Sequence, residues 1–218
     1  MSSARGNLFV VSGFSGSGKG TIMEWFKRQD NYALSISCTS RTPRVGEQDG
    51  VQYYFISHDE FLKRASEGYF LEHAIYVDKG YGTPAGFVEE NLQAGRDVLL
   101  EIEMQGAMQV REKYPNTTLI FITPPSVAEL RRRLTGRNTE TPEQIEKRLS
   151  RAAEEGRYMD QYDYIVVNDD LDTCIHTLDG LMQSMRTPGA KDAYHHLLVS
   201  ENQELIRQMK QELQTLKK

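Results

Sequence analysis

A glycine-rich turn near the start of the chain constrains the fold more than any other feature: Gly13-Phe14-Ser15-Gly16-Ser17-Gly18-Lys19-Gly20-Thr21. Before it, Leu8 to Ser12 reads as a short buried strand, and after it Thr21 to Arg28 has helical character. Strand, G-x-x-x-x-G-K loop and helix in that order make a phosphate cradle. The glycines let successive backbone N–H groups turn inward around phosphate oxygens, and the following helix aims its positive end at the same anion. Lys19 then reaches the β- and γ-phosphates of a bound ATP as a mobile point charge. A Gly/Ser-rich surface turn is the bland alternative, and it leaves the flanking strand and helix unaccounted for.

The residue after the lysine, usually Ser or Thr, is Gly20, with Thr21 one place later. Mg²⁺ is therefore expected to be held mainly by nucleotide phosphates and water, as suits its reluctance to dehydrate. A small-metabolite kinase fits this loop better than a GTPase or a motor.

Beyond the loop, apolar strand-like runs alternate with helical segments, the pattern of a central parallel sheet with crossover helices. Ala33 to Ser37 reads as a second strand. Val51 to Ile56 and Tyr69 to Val77 read as strands around a helix opened by Ser57-x-x-Glu60. These short, aromatic-rich strands predict a small mixed or antiparallel insertion. Thr83-Pro84 marks a helix start, with Pro84 in the first helical position, and Gly95 a stop. A strand over Asp97 to Ile102, a helix near Gln105 to Tyr114 and a strand over Thr118 to Ile122 follow. Ser126-x-x-Glu129 and Thr141-Pro142-x-Gln144 each start a helix. Tyr164 to Val167 is the last strand and Leu171 to Met185 the last core helix. Thr187-Pro188-Gly189 breaks the chain, and Ala190 to Lys218 reads as one polar helix.

A chain of 218 residues suffices for one α/β domain with small insertions. The net charge of -5 argues against sequence-independent nucleic-acid binding, since no global basic field draws in a polyphosphate backbone. Cys38 and Cys174 form no C-x-x-C pair and read as free thiols in a reducing compartment. The early apolar run ends at Ser12, too short for a signal peptide or a membrane span. A cytoplasmic location without membrane association is the expectation. His195 and His196 are adjacent, so on a helix they point about 100° apart and cannot chelate as a pair. No metal site is expected.

Downstream of the second strand lies Ser37-Cys38-Thr39-Ser40-Arg41-Thr42-Pro43-Arg44-x-Gly46-Glu47. Two arginines three apart, stiffened by Pro43, make a fork suited to a terminal phosphate. Tyr53 and Tyr81 read as packing residues, and Glu72 alone as a solvated strand charge. Order and spacing change that reading. This stretch, with Phe70-Leu71-Glu72, Tyr81-Gly82-Thr83, Glu101-Ile102-Glu103-x-Gln105-Gly106 and Val167-Asn168-Asp169-Asp170, resembles the guanylate kinases from about Leu8 to about Met185.

The resemblance implies a P-loop kinase fold: a central parallel sheet flanked by helices, a small mixed α/β GMP-binding insertion and a helical lid. It implies that Arg41, Arg44, Tyr53 and Tyr81 hold the GMP phosphate, and that Ser37, Glu72, Thr83, Glu101 and Glu103 belong to the GMP site, with Ser37, Glu72, Thr83 and Glu103 around the base. Guanine presents N–H donors at N1 and N2, which call for carboxylates and hydroxyls, whereas adenine would leave Glu72 facing an acceptor. The family pattern has Asp-Ile-Asp where this chain has Glu101-Ile102-Glu103, which keeps the charge but moves it outward. For Glu101 a plain strand-end charge is the alternative.

Arg131-Arg132-Arg133-Leu134-Thr135-Gly136-Arg137 and Lys147-Arg148 flank a polar link between two helices, and by themselves suggest a solvated basic face. The resemblance assigns Arg133, Arg137 and Arg148 to the arginines that close over the phosphates, and leaves Arg131, Arg132 and Arg151 on the surface. With Lys19 and Arg41 these are the expected catalytic residues. Asn168 matches the family's adenine-side residue, with a turn or cap role as the alternative. The implied organisation is a domain over 1–188, with a core at about 5–36, 84–134 and 157–188, a GMP-binding insertion at about 37–83 and a lid at about 135–156, followed by a helical extension over 189–218.

In that extension Leu198, Asn202, Leu205, Met209 and Leu216 follow alternating four- and three-residue steps, with Glu212 interrupting the series, a short, imperfect heptad seam. A helix lying against its own domain or fraying in solvent is the first expectation, and a homodimer through this helix the alternative. For the whole chain the leading expectation is a kinase that moves a phosphoryl group from ATP to GMP, and to dGMP because no residue is placed to read the 2′-hydroxyl. Another nucleoside monophosphate kinase differs only in base preference. A binding module that recognises phosphorylated partners through the GMP region is a different class of reading, opposed by the intact Gly18-Lys19 cradle and the lid arginines.

Overall fold

In the computed structural model, which describes residues 4–76, 78–136 and 141–215, the apolar run becomes β1 (Leu8–Gly13), buried along its length, and the loop hands over to α1 (Lys19–Phe26). β2 (Tyr32–Leu34) and β3 (Cys38–Thr39) follow. The strand expected over Ala33 to Ser37 is observed only as far as Leu34, and β3, in the other sheet, begins just past its expected end. β4 is only Tyr54–Phe55, because Asp49 to Val51 is a tight turn in which Gly50 has φ 75.

Ser57 caps α2 (His58–Ser66), its hydroxyl accepting from the Glu60 amide as the sequence predicts. β5 (Phe70–Tyr76) and β6 (Lys79–Pro84) complete a four-stranded sheet in the order β4-β3-β6-β5. Its β3–β4 pair is parallel and its other pairs antiparallel, the mixed sheet anticipated for this segment. The sequence reading did not mark β6. Pro84 ends this strand and stands at the N-cap of α3 (Ala85–Gln93), one place earlier than expected. Gly95, with φ 80, stops the helix as predicted.

β7 (Asp97–Glu101), α4 (Met104–Lys113), β8 (Thr118–Thr123), α5 (Val127–Thr135), α6 (Pro142–Glu155), β9 (Tyr164–Val167) and α7 (Leu171–Ser184) follow in the expected alternation. Ser126 caps α5, Thr141 and Gln144 form a reciprocal capping box on α6, and Asp170 caps α7. The central sheet is parallel and five-stranded, in the order β2-β7-β1-β8-β9, and flanked by helices. Phe9, Val10, Leu99, Leu100, Ile120 and Phe121 are fully buried in it. A sheet covered on both faces needs such continuous apolar strands rather than alternating ones.

The tail differs from the single helix expected. Gly189 (φ 81) opens a 3-10 segment, Ala190–Leu197, then comes a shorter one, Val199–Asn202, and only Gln203–Thr215 is α-helical (α8). Ile206, Met209 and Leu213 are the buried residues of α8, so the apolar stripe is displaced from the heptad series. That stripe packs on α5, α6 and the 3-10 turn Gly156–Gln161, and Lys210 pairs with Asp160 at 2.9 Å. Leu216 lies outside the described residues.

Two compact units are distinguished along the chain. One holds residues up to Val10 and Phe26–Thr117, the other Val11–Trp25 and everything from Thr118 onward. Cys38 and Cys174 are free and buried, one in each unit.

Candidate functional site

The phosphate loop belongs to the second unit. Gly16 and Gly18 take φ of 95 and 93, a backbone that residues with a Cβ rarely adopt. Crowding adds to this. A Cβ on Gly13 would collide with the Ile122 carbonyl, and one on Gly18 with the Asn168 amide. Lys19 Nζ donates to the carbonyls of Gly13 (2.6 Å) and Phe14 (3.0 Å), which holds the ammonium over the loop. Ser17 Oγ is buried with no hydrogen-bond partner in the protein. Gly20 and Thr21 are exposed, and a Cβ on Gly20 would meet nothing within 4 Å. Space is therefore not why this position lacks a hydroxyl.

Asn168 is 4% exposed and its Nδ2 donates to the Ser17 carbonyl at 2.8 Å, while its own amide donates to the Thr123 carbonyl. These bonds hold the phosphate loop against the end of β8. Glu155, at the end of α6, is as deeply buried and accepts the Ser15 amide on Oε2 at 3.1 Å. The sequence carried no signal for it.

Among the arginines expected to close over the phosphates, Arg133 pairs with Glu129 at 2.6 Å one turn back on α5, and Arg132 shares the same carboxylate. Their hydrogen bonds, Arg132's first, hold the Glu129 carboxyl down to about 2. Arg148 is half-buried on α6. Arg137 lies outside the described residues. Arg131 and Arg132 sit on the surface as expected, whereas Arg151 pairs with the buried Glu155 at 3.2 Å.

The first unit carries the residues expected around the acceptor. On β6, Gly80 and Gly82 face one side, Tyr81 and Thr83 the other. The glycine face lies on Phe61 and Phe70, where a Cβ would strike either ring. Cys38, Phe61 and Phe70 form a small apolar core there. Phe70 pairs with Pro84, but Glu72 pairs with Thr83, because a bulge at Leu71 shifts the register. Residues two apart in a regular strand share a face; the bulge turns Phe70 to the core and Glu72 to the side of Tyr81 and Thr83.

Glu72 is 5% exposed, and Thr83 donates its hydroxyl to Oε1 at 2.6 Å. Burial pushes the carboxyl above its usual range, against the hydrogen bonds from Thr83 and the charge of Lys113. Helix α4 fixes β5 at this point. The Gln109 side chain bonds both backbone groups of His73, and Lys113 Nζ donates to the Leu71 carbonyl at 2.7 Å. Gly106 leaves room for the carboxylate, since a Cβ there would collide with Glu72 Oε2.

Arg41, Tyr53 and Tyr81 form a second cluster. Glu47 grips the Arg41 guanidinium at 2.8 and 3.0 Å and also accepts the Arg44 amide. Arg41 holds the Glu47 carboxyl below its ordinary value. The guanidinium lies 5.4 Å from the Tyr53 ring centre, Tyr53 and Tyr81 meet edge to face, and Arg41 Nε is buried with no protein partner. Burial raises the Tyr53 hydroxyl above its usual range. Ser37 is half-buried, and its carbonyl accepts the Tyr54 amide. Arg44, Glu101 and Glu103 are exposed, Glu103 at the N-cap of α4 without a side-chain cap bond. The structure thus groups Arg41, Tyr53 and Tyr81, and separately Glu72 and Thr83. Gln109, Lys113 and Gly106 are supports the sequence reading did not assign.

The family profile described as guanylate kinase matches residues 5–185. The guanylate kinase of Latilactobacillus sakei is 46% identical over 200 residues, covering 90% of this chain and 98% of that one. The guanylate kinase of Thermotoga maritima is 42% identical over 215 residues, 98% and 99% of the two chains. The crystal structure of guanylate kinase from Anaplasma phagocytophilum matches with a TM-score of 0.71 at 32% identity, covering 88% of this chain and 92% of that one. With a phosphate loop, a buried Glu–Thr pair and an arginine–tyrosine cluster in place, the chain belongs to the guanylate kinase family.

Proposed function

We propose that the chain transfers the γ-phosphoryl group of ATP to GMP, giving ADP and GDP, and that it accepts dGMP as well. The buried Glu72–Thr83 pair carries the choice of acceptor. A carboxylate aimed from a strand bulge suits the N–H donors of guanine and would be left facing an acceptor on adenine, a mismatch by which such a site discriminates up to about 10⁴–10⁵-fold. Ser37 and Glu103 complete the base contacts in this reading, with Glu101 beside them. Arg41, Arg44, Tyr53 and Tyr81 take the GMP phosphate, and the open Arg41 Nε is a donor with that use.

ATP takes the loop Gly13 to Thr21, where inward amides, the Ser17 hydroxyl and Lys19 meet the phosphates. Asn168 serves this end of the site by holding the loop. A GMP phosphate oxygen attacks the γ-phosphorus, the bond to the ADP oxygen breaks, and no general base is required because the attacking oxygen is already anionic. Arg133, Arg137 and Arg148 stabilise charge spread over the equatorial oxygens, an effect worth about 10³–10⁵ in related systems. The Glu129 carboxylate must release Arg133 for this. Mg²⁺ bound with the nucleotide would supply neutralisation of phosphate charge. With Gly20 where such loops usually carry a hydroxyl, phosphates and water would supply most of its coordination in this reading.

In this reading 37–83 is the GMP-binding insertion, 135–156 the lid and 189–218 an extension of the 1–188 domain. Two free, buried cysteines support a reducing, cytoplasmic setting, and among the described residues no helix is long and apolar enough to cross a membrane. ADP release from Mg-ATP with GMP, dGMP, AMP, CMP and UMP offered separately tests the proposal. Turnover confined to GMP and dGMP is expected, and preference for another base would sink the assignment of Glu72.

A further inference from the structure

We infer that Glu155 is a positioning residue for ATP: its carboxylate fastens the phosphate loop to the end of α6. The inference rests on the reading of residues 13–21 as the ATP phosphate site. Two side chains from distant parts of the chain grip the loop backbone from outside. Asn168 takes the Ser17 carbonyl, and Glu155 takes the Ser15 N–H. Together they pin a donor and an acceptor two residues apart, on either side of the left-handed Gly16. A loop held so is ordered before the anion arrives, which removes an ordering cost from binding.

A carboxylate beside a phosphate site would repel the ligand if left bare. Here Arg151 Nε stands 3.2 Å from the other oxygen, Oε1, so the buried group enters as a neutralised pair. The junction is also packed shut. A Cβ on Gly156, the next residue, would lie 3.2 Å from Leu213 Cδ1 on α8 and 3.7 Å from Phe14 of the loop. Arg148 sits seven residues before Glu155 on the same helix. At about 100° per residue the two share a face. Fixing the end of α6 to the loop therefore also fixes the rotation of the helix that carries a proposed lid arginine.

The test compares Glu155→Gln and Glu155→Met, which have nearly the same volume and differ in keeping an acceptor for the Ser15 N–H. The probe is a non-hydrolysable ATP analogue, with GMP affinity and melting temperature measured beside it. Glu155→Gln is expected to bind the analogue within about threefold of wild type, and Glu155→Met about tenfold or more weaker, the loss of one buried hydrogen bond. GMP affinity should hold in both, and KM for ATP should rise in step with the binding loss. Equal analogue binding by wild type and Glu155→Met would overturn the role of Glu155 alone. Failure of wild type to bind the analogue would overturn the phosphate-loop reading beneath it. If Glu155→Met does not fold, Glu155→Gln decides: a loss beyond about tenfold there would contradict the assigned acceptor role.

Discussion

Thr83 donates a 2.6 Å hydrogen bond to the buried carboxylate of Glu72, across a strand pair whose register is broken at Leu71. Neither residue is exposed enough for water to share the work. The pair is a specific acceptor set in a nearly dry wall, and the predictions for the acceptor side start from it.

Glu72→Gln should separate stability from function. Burial raises the Glu72 carboxyl in the folded state above the ordinary 4.5. Its protonated form therefore stabilises the fold below that value, and the benefit is lost as pH rises through the raised one. At neutral pH the variant should melt no lower than wild type, and the melting difference between them should shrink as pH falls toward the ordinary carboxylate value. GMP turnover by kcat/KM should drop by about ten- to a hundredfold, the worth of a charged hydrogen bond. Thermal melts across pH and steady-state kinetics check both.

Gly106→Ala should act on the same carboxylate from the far side. The added methyl would displace Glu72 Oε2 and stand 2.9 Å from its Cδ unless something yields. A stability loss of about 1–3 kcal/mol is expected from overpacking, with KM for GMP raised. Binding of an ATP analogue should stay at the wild-type level, and calorimetry with each nucleotide separates the two effects.

Gly20→Ser restores the hydroxyl usual in such loops. Because a Cβ there meets nothing within 4 Å, the fold should tolerate it, with a gain of about 0.5 kcal/mol from replacing a helical glycine. Half-maximal activity should then need less Mg²⁺. An unchanged Mg²⁺ titration would show that phosphates and water already satisfy the metal.

Much of the architecture was legible because each element carried its own local signal. The capping residues Ser57, Ser126 and Thr141, the stop at Gly95 and the apolar runs of β1, β7 and β8 needed no tertiary information. β6 was missed because its glycines look like turn residues. They are strand residues that make room for Phe61 and Phe70, a requirement set from the other side of the sheet. The opposite facing of Phe70 and Glu72 was invisible for a similar reason, since strand alternation puts them together and only the bulge separates them. Glu155 has no local signal at all, and only packing shows it buried against Ser15.

The tail illustrates the same limit. A four-three spacing suggested Leu198, Asn202, Leu205, Met209 and Leu216; the helix begins at Gln203 and buries Met209 of that series, beside Ile206 and Leu213 that the spacing did not mark. Leu213→Ala should cost about 2–5 kcal/mol, as for other buried leucines, and leave the mass in solution unchanged. Denaturant unfolding and light scattering on the same samples test this, and a change in mass would return the helix to an intersubunit role.

Transfer itself is read most directly by following the phosphorus. With ATP labelled in the γ-phosphoryl group, Mg²⁺ and GMP, the label should appear in the β-phosphoryl of GDP in step with ADP formation. Label released instead as inorganic phosphate, or retained in ATP while GMP stays unchanged, would contradict phosphoryl transfer between the two nucleotides.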